Sequence, residues 1–406
     1  MASILSDFSW GVGIEDTFIP QARPGLRAMD EYQLTDHYKR WREDFDLLNQ
    51  AGVQHIRWGI PWYKVNPASG KWDWGWIDEA LDYLVNKCKV TPIIDLMHYG
   101  TPLWLENAFI NAHYPEAVAE YAGAFAKRYA ELVRYYTPLN EPWVNALWCG
   151  KLGQWPPHLE GDDGYAKVLM AVVKGICLTE QAIRAADPDA IIVQVEPIEH
   201  HYSSVLELQD RVNDEIAHVY LAVDLFTGQV DNGHRLIPWL RTHGVSDADL
   251  QWFRDNAIKV DMIGVNYYPV SGGEWTLDAD GKPFFTRGVT VEHLETVFRR
   301  TWERYGLPML LSETGFNGSL ESRVEWFDKS VAIVRKLIGE GLPIRGYTWW
   351  PLFDMIEWDY RIDGGSLWRY ALDGGLWAIN FKEPANLLRV RTPLADRFQS
   401  YATGNR

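Results

Sequence analysis

The stretch Thr137-Pro138-Leu139-Asn140-Glu141-Pro142 places a carboxylate next to an amide, directly after a strand-like run at residues 132–136. We expect Pro142 to stop any strand or helix immediately after the glutamate. Burying two such polar side chains at a strand end is costly unless the fold uses them. We therefore interpret Glu141 as one of two catalytic carboxylates, and we expect the rest of the chain to place its partner opposite it.

Strand-like apolar runs alternate with helix-like stretches along the chain. The eight runs are residues 8–14, 53–60, 90–97, the run that ends at Glu141, 190–195, 260–267, 308–312 and 344–350. The apolar periodicity predicts helices at about 36–51, 75–88, 115–131, 164–186, 290–305 and 321–340, and a last helix from about 393. Eight such alternations predict an α/β fold, a (β/α)8 TIM barrel with parallel strands. We expect residues 1–406 to form this one catalytic domain.

A doubly wound sheet also alternates strands and helices, but its phosphate-binding loop is missing here. Gly11-Val12-Gly13 in the first run lacks the third glycine and the helix opening of that motif. Additional sequence follows strand six, where residues 278–283 have the composition of a hairpin turn, and strand eight, at residues 352–385. We expect extended βα loops at both places, on the face where barrel active sites lie.

Composition limits the partners and the location. The 406 residues carry a net charge of −16, which disfavours nucleic acid because binding it requires neutralised phosphates. No apolar run reaches the roughly 18 residues of a membrane helix. The N-terminus lacks the pattern of a signal peptide, so we expect a soluble, cytoplasmic protein. Cys88, Cys149 and Cys177 fit neither a disulfide nor a metal pattern, and we expect buried thiols.

Polar side chains collect at the predicted carboxyl ends of the strands, where Val, Ile and Leu are the rule. They are Arg57, His98, Asn140, Glu141, Asn266, Tyr268, Glu313 and Trp350, with Glu357 close behind. Glu141 and Glu313 are three strands apart and would face each other across the barrel mouth. Glycoside cleavage needs such a pair, one to protonate the leaving oxygen and one to attack or to activate water. A buried ion pair would explain either glutamate alone, but not the whole set.

These residues lie in motifs that resemble those of glycoside hydrolase family 1, the β-glucosidase-like retaining enzymes. Residues 137–142 resemble its T-x-N-E-P signature, and Leu311-Ser312-Glu313-Thr314-Gly315 resembles the stretch that carries its nucleophile. Residues 346–358, G-Y-T-W-W-P-L-F-D-M-I-E-W, look like its sugar-binding segment. Residues 55–62, 97–102 and 266–268 are similar to further motifs, and all occur in the family's order. The resemblance implies a TIM barrel and a retaining β-glycosidase that needs no cofactor.

The resemblance also implies a role for each site residue. Glu313 would attack the anomeric carbon, and Glu141 would act first as acid and then as base. The substrate-binding set would be Asn140 on the 2-hydroxyl, Arg57 and Tyr268 on the nucleophile, His98, Glu357 and Trp358 on the 3-, 4- and 6-hydroxyls, and Trp350 beneath the sugar ring. The two carboxyl groups would lie about 5–5.5 Å apart, which predicts retention of configuration.

The sequence departs from the family at the sugar-binding positions. Residues 10–16 lack the glutamine that binds the glycone in the family, and Tyr99 stands where the family has tryptophan. The chain is also shorter than typical members, mainly in its loops. We therefore hypothesise a more open aglycone cleft and a broader or unusual substrate range. The peptide bond after this tryptophan is often cis in the family, and proline after Trp350 makes that form nearly free, so the resemblance implies a cis bond at this position.

Two other functions stay open beside hydrolysis of β-linked glucosides. One is a carbohydrate-binding barrel with weak turnover, which the missing glutamine favours. The other is a related glycosidase, such as a β-galactosidase, a β-mannosidase or an endo-glycanase. In each case the partner is a small-molecule or oligosaccharide β-glycoside. Glu196, Glu199, His200 and His201 cluster after strand five, but their spacing fits no metal motif, so we expect them to line the cleft without a metal.

Overall fold

The computed structural model of the chain describes Leu5 and residues 7–404. Eight parallel strands close into a barrel, and each lies within a few residues of a predicted run. The strands are β1 (Ser9–Gly13), β2 (His55–Gly59), β3 (Thr91–Asp95), β4 (Tyr135–Thr137), β5 (Ile191–Pro197), β6 (Met262–Asn266), β7 (Met309–Thr314) and β8 (Ile344–Trp349). Each strand pairs with the next in sequence, and β8 pairs with β1. The TIM-barrel prediction is confirmed.

One long helix follows each strand before the next strand begins. These helices are α1 (His37–Ala51), α2 (Gly75–Asp82), α3 (Tyr114–Tyr129), α4 (Gly161–Ala186), α5 (Gln209–Phe226), α6 (His293–Tyr305), α7 (Leu320–Gly339) and α8 (Pro393–Ala402). Further helices lie in the connections, at Glu31–Leu34, Trp62–Val65, Pro142–Ala146, Ile237–Thr242 and Asp247–Asp255. Local sequence explains several ends. The Ser319 side chain accepts from Ser322 N at the start of α7, and Gly52, with φ of 72°, ends α1.

Alternate residues of each strand point into the barrel, and their sizes decide what fits there. On β1 the inward residues Gly11 and Gly13 leave room for larger side chains. A Cβ at Gly11 would lie 2.0 Å from His55 Nε2, and one at Gly13 would lie 1.8 Å from the Trp350 ring. An apolar cluster of inward residues from β3 to β7 includes Ile93, Tyr135, Val193, Val195, Met262 and Leu310.

Insertions that contain additional strands follow β5, β6 and β8. Strands His200–Tyr202, Gly272–Leu277 and Pro283–Arg287 form a three-stranded accessory sheet. Its hairpin turn at residues 278–283 is the predicted one, with Gly281 in a left-handed conformation at φ of 76°. After β8, Met355–Ile356 pairs with Ala371–Leu372, and Trp377–Ile379 pairs with Arg389–Arg391. The extended βα loops after strands six and eight are therefore confirmed.

Two expectations from composition can be compared with the structure. Cys88, Cys149 and Cys177 are buried free thiols, as predicted. Within Leu5 and residues 7–404, no helix combines the length and the apolar character that crossing a membrane requires. The expectation about a signal peptide falls mainly on residues 1–4 and 6, which lie outside the described residues.

Candidate active site

Side chains alternate in direction along a strand, and this alternation directs two charged side chains into the barrel mouth. Arg57 follows His55 by two residues on β2, and Asp95 follows the inward Ile93 by two residues on β3. Both side chains are fully buried. Arg57 Nη2 donates to Asp95 Oδ2 at 2.5 Å and to Asn140 Oδ1 at 2.8 Å. The guanidinium therefore connects strands β2, β3 and the end of β4.

Glu313 reaches the same guanidinium through an irregularity in β7. The register of β7 against β6 shifts between Leu311 and Glu313, and a bulge of this kind changes the direction of a side chain. One carboxylate oxygen of Glu313 accepts from Arg57 Nη1. The other accepts from Tyr268 Oη at 2.8 Å. With 5% of its surface exposed, Glu313 is held on both oxygens at the edge of the mouth.

Glu141 stands at a sharp change of chain direction after β4. Its φ of 47° lies in the left-handed region, which non-glycine residues rarely adopt. Its N–H donates to Val195 O at 3.2 Å on β5. The prediction that Pro142 stops any helix is wrong, because Pro142 is the first residue of the helix Pro142–Ala146. Proline suits that position, since the first turn of a helix leaves its N–H groups without partners.

The Glu141 side chain points into the mouth and is held by two donors. Tyr99 Oη donates to Oε2, and Asn266 Nδ2 donates to Oε1 at 2.9 Å. Asn140 Nδ2 in turn donates to Tyr99 Oη at 2.8 Å. Tyr99 also has a left-handed backbone, with φ of 76°, and such conformations concentrate at functional sites.

Burial raises the pKa of both glutamates, but their partners differ. The positive charge of Arg57 opposes the rise at Glu313, while the charge of Glu141 adds to it. At Glu141 the hydrogen bonds from Tyr99 and Asn266 oppose the rise. Because the charge of one carboxylate disfavours ionisation of the other, the two glutamates do not ionise independently. Of the two glutamates, Glu313 is the one that contacts Arg57, and this permanent charge favours its ionised form.

Trp350 forms one wall of the mouth. Its indole is 3% exposed and lies against the space that Gly13 leaves free. The His98 ring stacks near it, with centroids 6.1 Å apart and planes 21° apart. Trp350 Nε1 donates to Glu15 Oε2 at 2.9 Å. The Trp350-Pro351 peptide bond is cis, as predicted.

Gly13→Ala should displace this wall. The new methyl group would overlap the indole, so we expect kcat/KM for an aryl glycoside to fall about 100-fold, the size of effect that small misplacements at a reacting centre produce. Gly339→Ala is the matched control, because a Cβ there meets nothing within 4 Å. The steady-state kinetics of the two variants test this. Equal activity in both would contradict the role of Gly13.

His98 lies between acidic side chains behind the wall. Its Nδ1 is 2.7 Å from Asp16 Oδ1 and 3.7 Å from Asp95 Oδ2. Burial opposes a charge on the imidazole, but Asp16, Asp95 and Glu15 outweigh it and raise the pKa of His98 well above its usual value. Donor atoms of Asp16, Asp95 and His98 lie within 4.8 Å of one another, close enough to hold a metal ion. Arg57 and the imidazole already supply positive charge to both carboxylates, so this donor set fits an ion-pair network better than a metal.

The remaining predicted residues lie in different surroundings. Trp358 packs edge-on against Tyr99, with centroids 5.4 Å apart, and donates to Thr17 Oγ1 at 3.2 Å. Glu357 is half-buried, and across the described part of the chain its carboxylate makes no hydrogen bond or ion pair. Direct contacts therefore join all the predicted site residues except Glu357 into one network.

Sequence reasoning missed several members of this network. They are Glu15, Asp16, Asp95 and Ser312, whose hydroxyl donates to Asn266 Oδ1 at 2.6 Å. The sequence analysis also gave no role to Asn266. Asp95 had a detectable signal, because it is a charged residue inside the apolar run of strand three and shares its face with Ile93. The cluster expected after strand five is divided between β5, where Glu196 interacts with the charge of Glu141, and the accessory sheet. Glu196 is fully buried near Trp143 N, and His201 pairs with Glu199 at 3.0 Å in and beside the accessory sheet.

Comparison with known proteins gives the family. The model of glycosyl hydrolase family 1 matches residues 10–282. Beta-glucosidase A of Thermotoga maritima is 22% identical over 385 residues, which cover 85% of this chain and 86% of that protein. A bifunctional beta-D-glucosidase/beta-D-fucosidase of Bifidobacterium breve is 25% identical over 387 residues, covering 80% of each chain.

A solved structure shares the fold. It is the beta-glucosidase from Thermotoga maritima in complex with glucoimidazole, which matches with a TM-score of 0.85 at 19% sequence identity and covers 98% of both chains. The family match spans most of the barrel, including Arg57, Glu141 and Asn266, and Glu313 lies beyond it on β7. The chain therefore belongs to glycosyl hydrolase family 1 and is a retaining β-glycosidase.

Proposed function

We propose that the enzyme hydrolyses β-linked glucosides or related glycosides by double displacement, with Glu313 as nucleophile and Glu141 as acid and base. One observation carries the proposal: Glu141 and Glu313 are both buried at the barrel mouth, and of these two only Glu313 touches Arg57. That asymmetry gives the pair one ionised and one protonated member, as double displacement requires.

In the first step an oxygen of Glu313 attacks the anomeric carbon. The bond to the aglycone oxygen breaks, and the proton of Glu141 passes to that oxygen. Arg57 and Tyr268 orient the attacking carboxylate. The product is a glycosyl ester on Glu313 and a released alcohol or phenol, so atoms and charges balance.

In the second step water replaces the aglycone. The ester has removed the negative charge of Glu313, so the pKa of Glu141 falls and its carboxylate suits the role of base. Glu141 takes a proton from water, the resulting oxygen attacks the anomeric carbon, and Glu313 leaves as carboxylate. Two displacements at the same carbon retain its configuration.

The sugar is held by the walls of the mouth in this proposal. The sugar ring stacks on Trp350. Asn140, next to Glu141, binds the 2-hydroxyl. His98, Trp358 and Glu357 bind the outer hydroxyls. Glu357 is free to do so because, in the described chain, no other side chain bonds its carboxylate. The glucosidase names of the relatives support a glucose-like glycone, and the dual glucosidase/fucosidase supports tolerance at the outer positions.

A panel of 4-nitrophenyl β-glycosides followed by proton NMR tests this function. We expect turnover with the β-sugar as the first product, before mutarotation, and with glucoside, galactoside and fucoside rates of similar size. An α-sugar as first product would contradict double displacement. Binding without turnover would favour the carbohydrate-binding alternative, and strict selection of glucose would contradict the hypothesis of a broad substrate range.

We also propose that the enzyme works in the cytoplasm. Its three cysteines are buried and free, which fits a reducing compartment. Fractionation of the source cells tests this, and recovery in the extracellular fraction would contradict it.

A further inference from the structure

Arg57 is shared between two carboxylates. Nη1 donates to Glu313, and Nη2 donates to Asp95 at 2.5 Å. Asp95 and Arg57 are both 0% exposed, so water does not screen this pair. The second oxygen of Asp95, Oδ1, is buried without a hydrogen-bond partner among the described residues. A carboxylate in this position has no function in the steps above.

The charge around Glu313 depends on this arrangement. The groups that face it are Arg57 from β2, His98 and Tyr99 after β3, Glu141 after β4 and Tyr268 after β6, with Glu15, Asp16 and Asp95 behind them. Arg57 is the permanent cation that touches Glu313 directly. Asp95 is hydrogen-bonded to the same guanidinium. Its negative charge therefore weakens the positive field that Arg57 exerts on Glu313 and on the other neighbours of Arg57.

We propose that Asp95 is a positioning residue that divides Arg57 between itself and Glu313, so that the nucleophile is ionised less readily and the reaction needs a higher pH. The proposal rests on the assignment of Glu313 as nucleophile. Asp95 also fixes the plane of the guanidinium, and Nη2 in turn holds Asn140 Oδ1 at 2.8 Å. Asp95 therefore orients Arg57, the partner of the nucleophile, and raises the pH at which activity is lost on the acidic side.

The sign of the effect follows from charge. Glu313 reacts only as carboxylate, so activity falls as pH drops and Glu313 takes up a proton. Asp95→Asn removes one negative charge and keeps an oxygen that accepts from Arg57. The ionised form of Glu313 then gains stability, and the acidic midpoint of kcat/KM moves to lower pH by about one unit.

The test uses 2,4-dinitrophenyl β-glucoside as substrate. Its leaving group departs without a proton, so the acidic limb of kcat/KM reports Glu313 and not Glu141. One pH unit below the wild-type midpoint, we expect the fraction of plateau activity to rise from about one tenth to about one half in Asp95→Asn. Asp95→Ser, which also removes the charge, should move the midpoint in the same direction.

Asp16→Asn is the matched control. It removes a buried carboxylate of the same pocket that contacts His98 rather than Arg57, so its midpoint should move by less than half as much. Equal shifts in the two variants, or no shift in Asp95→Asn, would overturn the proposal. Turnover by Glu313→Gly distinguishes failure of the Asp95 proposal from failure of the proposed function. If that variant kept its turnover, the assignment of Glu313 as nucleophile would itself be wrong.

Discussion

Glu313→Gly is expected to lower the turnover of an aryl β-glycoside by roughly 10⁴-fold or more, because the attacking group is lost. In the proposed mechanism Glu141 protonates the leaving group and does not replace Glu313. The substitution also leaves a space beside Arg57 and Tyr268. Azide can enter it and attack the anomeric carbon once, so we expect azide to restore turnover and to give the inverted α-glycosyl azide.

Glu313→Gln is the matched control for this result. It removes the charge but keeps the volume, so it should be inactive both with and without azide. Product analysis by proton NMR identifies the anomer. Unchanged turnover in Glu313→Gly would refute the mechanism, and a β-glycosyl azide from that variant would place the nucleophile elsewhere.

Glu141→Ala is expected to produce losses that depend on the leaving group. A phenyl glycoside needs a proton on its departing oxygen, so its kcat/KM should fall about 10² to 10⁴-fold. A 2,4-dinitrophenyl glycoside does not, so its kcat/KM should change little. Hydrolysis of the ester is slowed for both substrates, so the dinitrophenyl substrate should give a burst followed by slow turnover.

Azide separates the two glutamates by stereochemistry. In Glu141→Ala it takes the place of water on the ester and gives the β-glycosyl azide, the opposite anomer to that from Glu313→Gly. Asn140 beside it stays in place, so the loss is specific to the carboxyl group. Equal losses of kcat/KM for the phenyl and dinitrophenyl substrates would contradict the role of Glu141 as acid.

The barrel could be predicted because its signals are local. Apolar runs of strand length, separated by helical periodicity, recur eight times, and each strand was found near its run. The helix Pro142–Ala146 was missed because proline was interpreted as a breaker, although it suits the first position of a helix. Proline therefore favours the first position of a helix and disfavours the middle of one. The backbone conformation at Glu141 shows that the first case applies to Pro142.

The location of Glu141 and Glu313 at the barrel mouth could be predicted, but their environment could not. Glu141 and Glu313 follow strands at the end where barrel sites lie. The partition of Arg57 between Glu313 and Asp95 depends on side chains from three strands and on a register shift in β7 that no local pattern specifies. The sequence therefore predicted the ring of polar residues at the barrel mouth, but it did not predict the second layer of acidic side chains behind that ring.

Glu15 is an acidic side chain just after the first strand, where the sequence has no glutamine. Glu15 lies after β1, accepts from Trp350 Nε1 at 2.9 Å and from Thr17 Oγ1 at 2.6 Å, and is 5% exposed. Its Oε1 lies 3.9 Å from His98 Nε2. An acidic side chain thus holds the edge of Trp350.

The central claim is that a covalent ester forms on Glu313. Incubation with 2,4-dinitrophenyl 2-deoxy-2-fluoro-β-glucoside slows the second displacement, and peptide mass spectrometry then locates the trapped sugar. The account predicts one fluoroglycosyl group per chain, on Glu313, with loss of activity in parallel with labelling. Inactivation with the label on any other residue, or turnover without a covalent species, would contradict it.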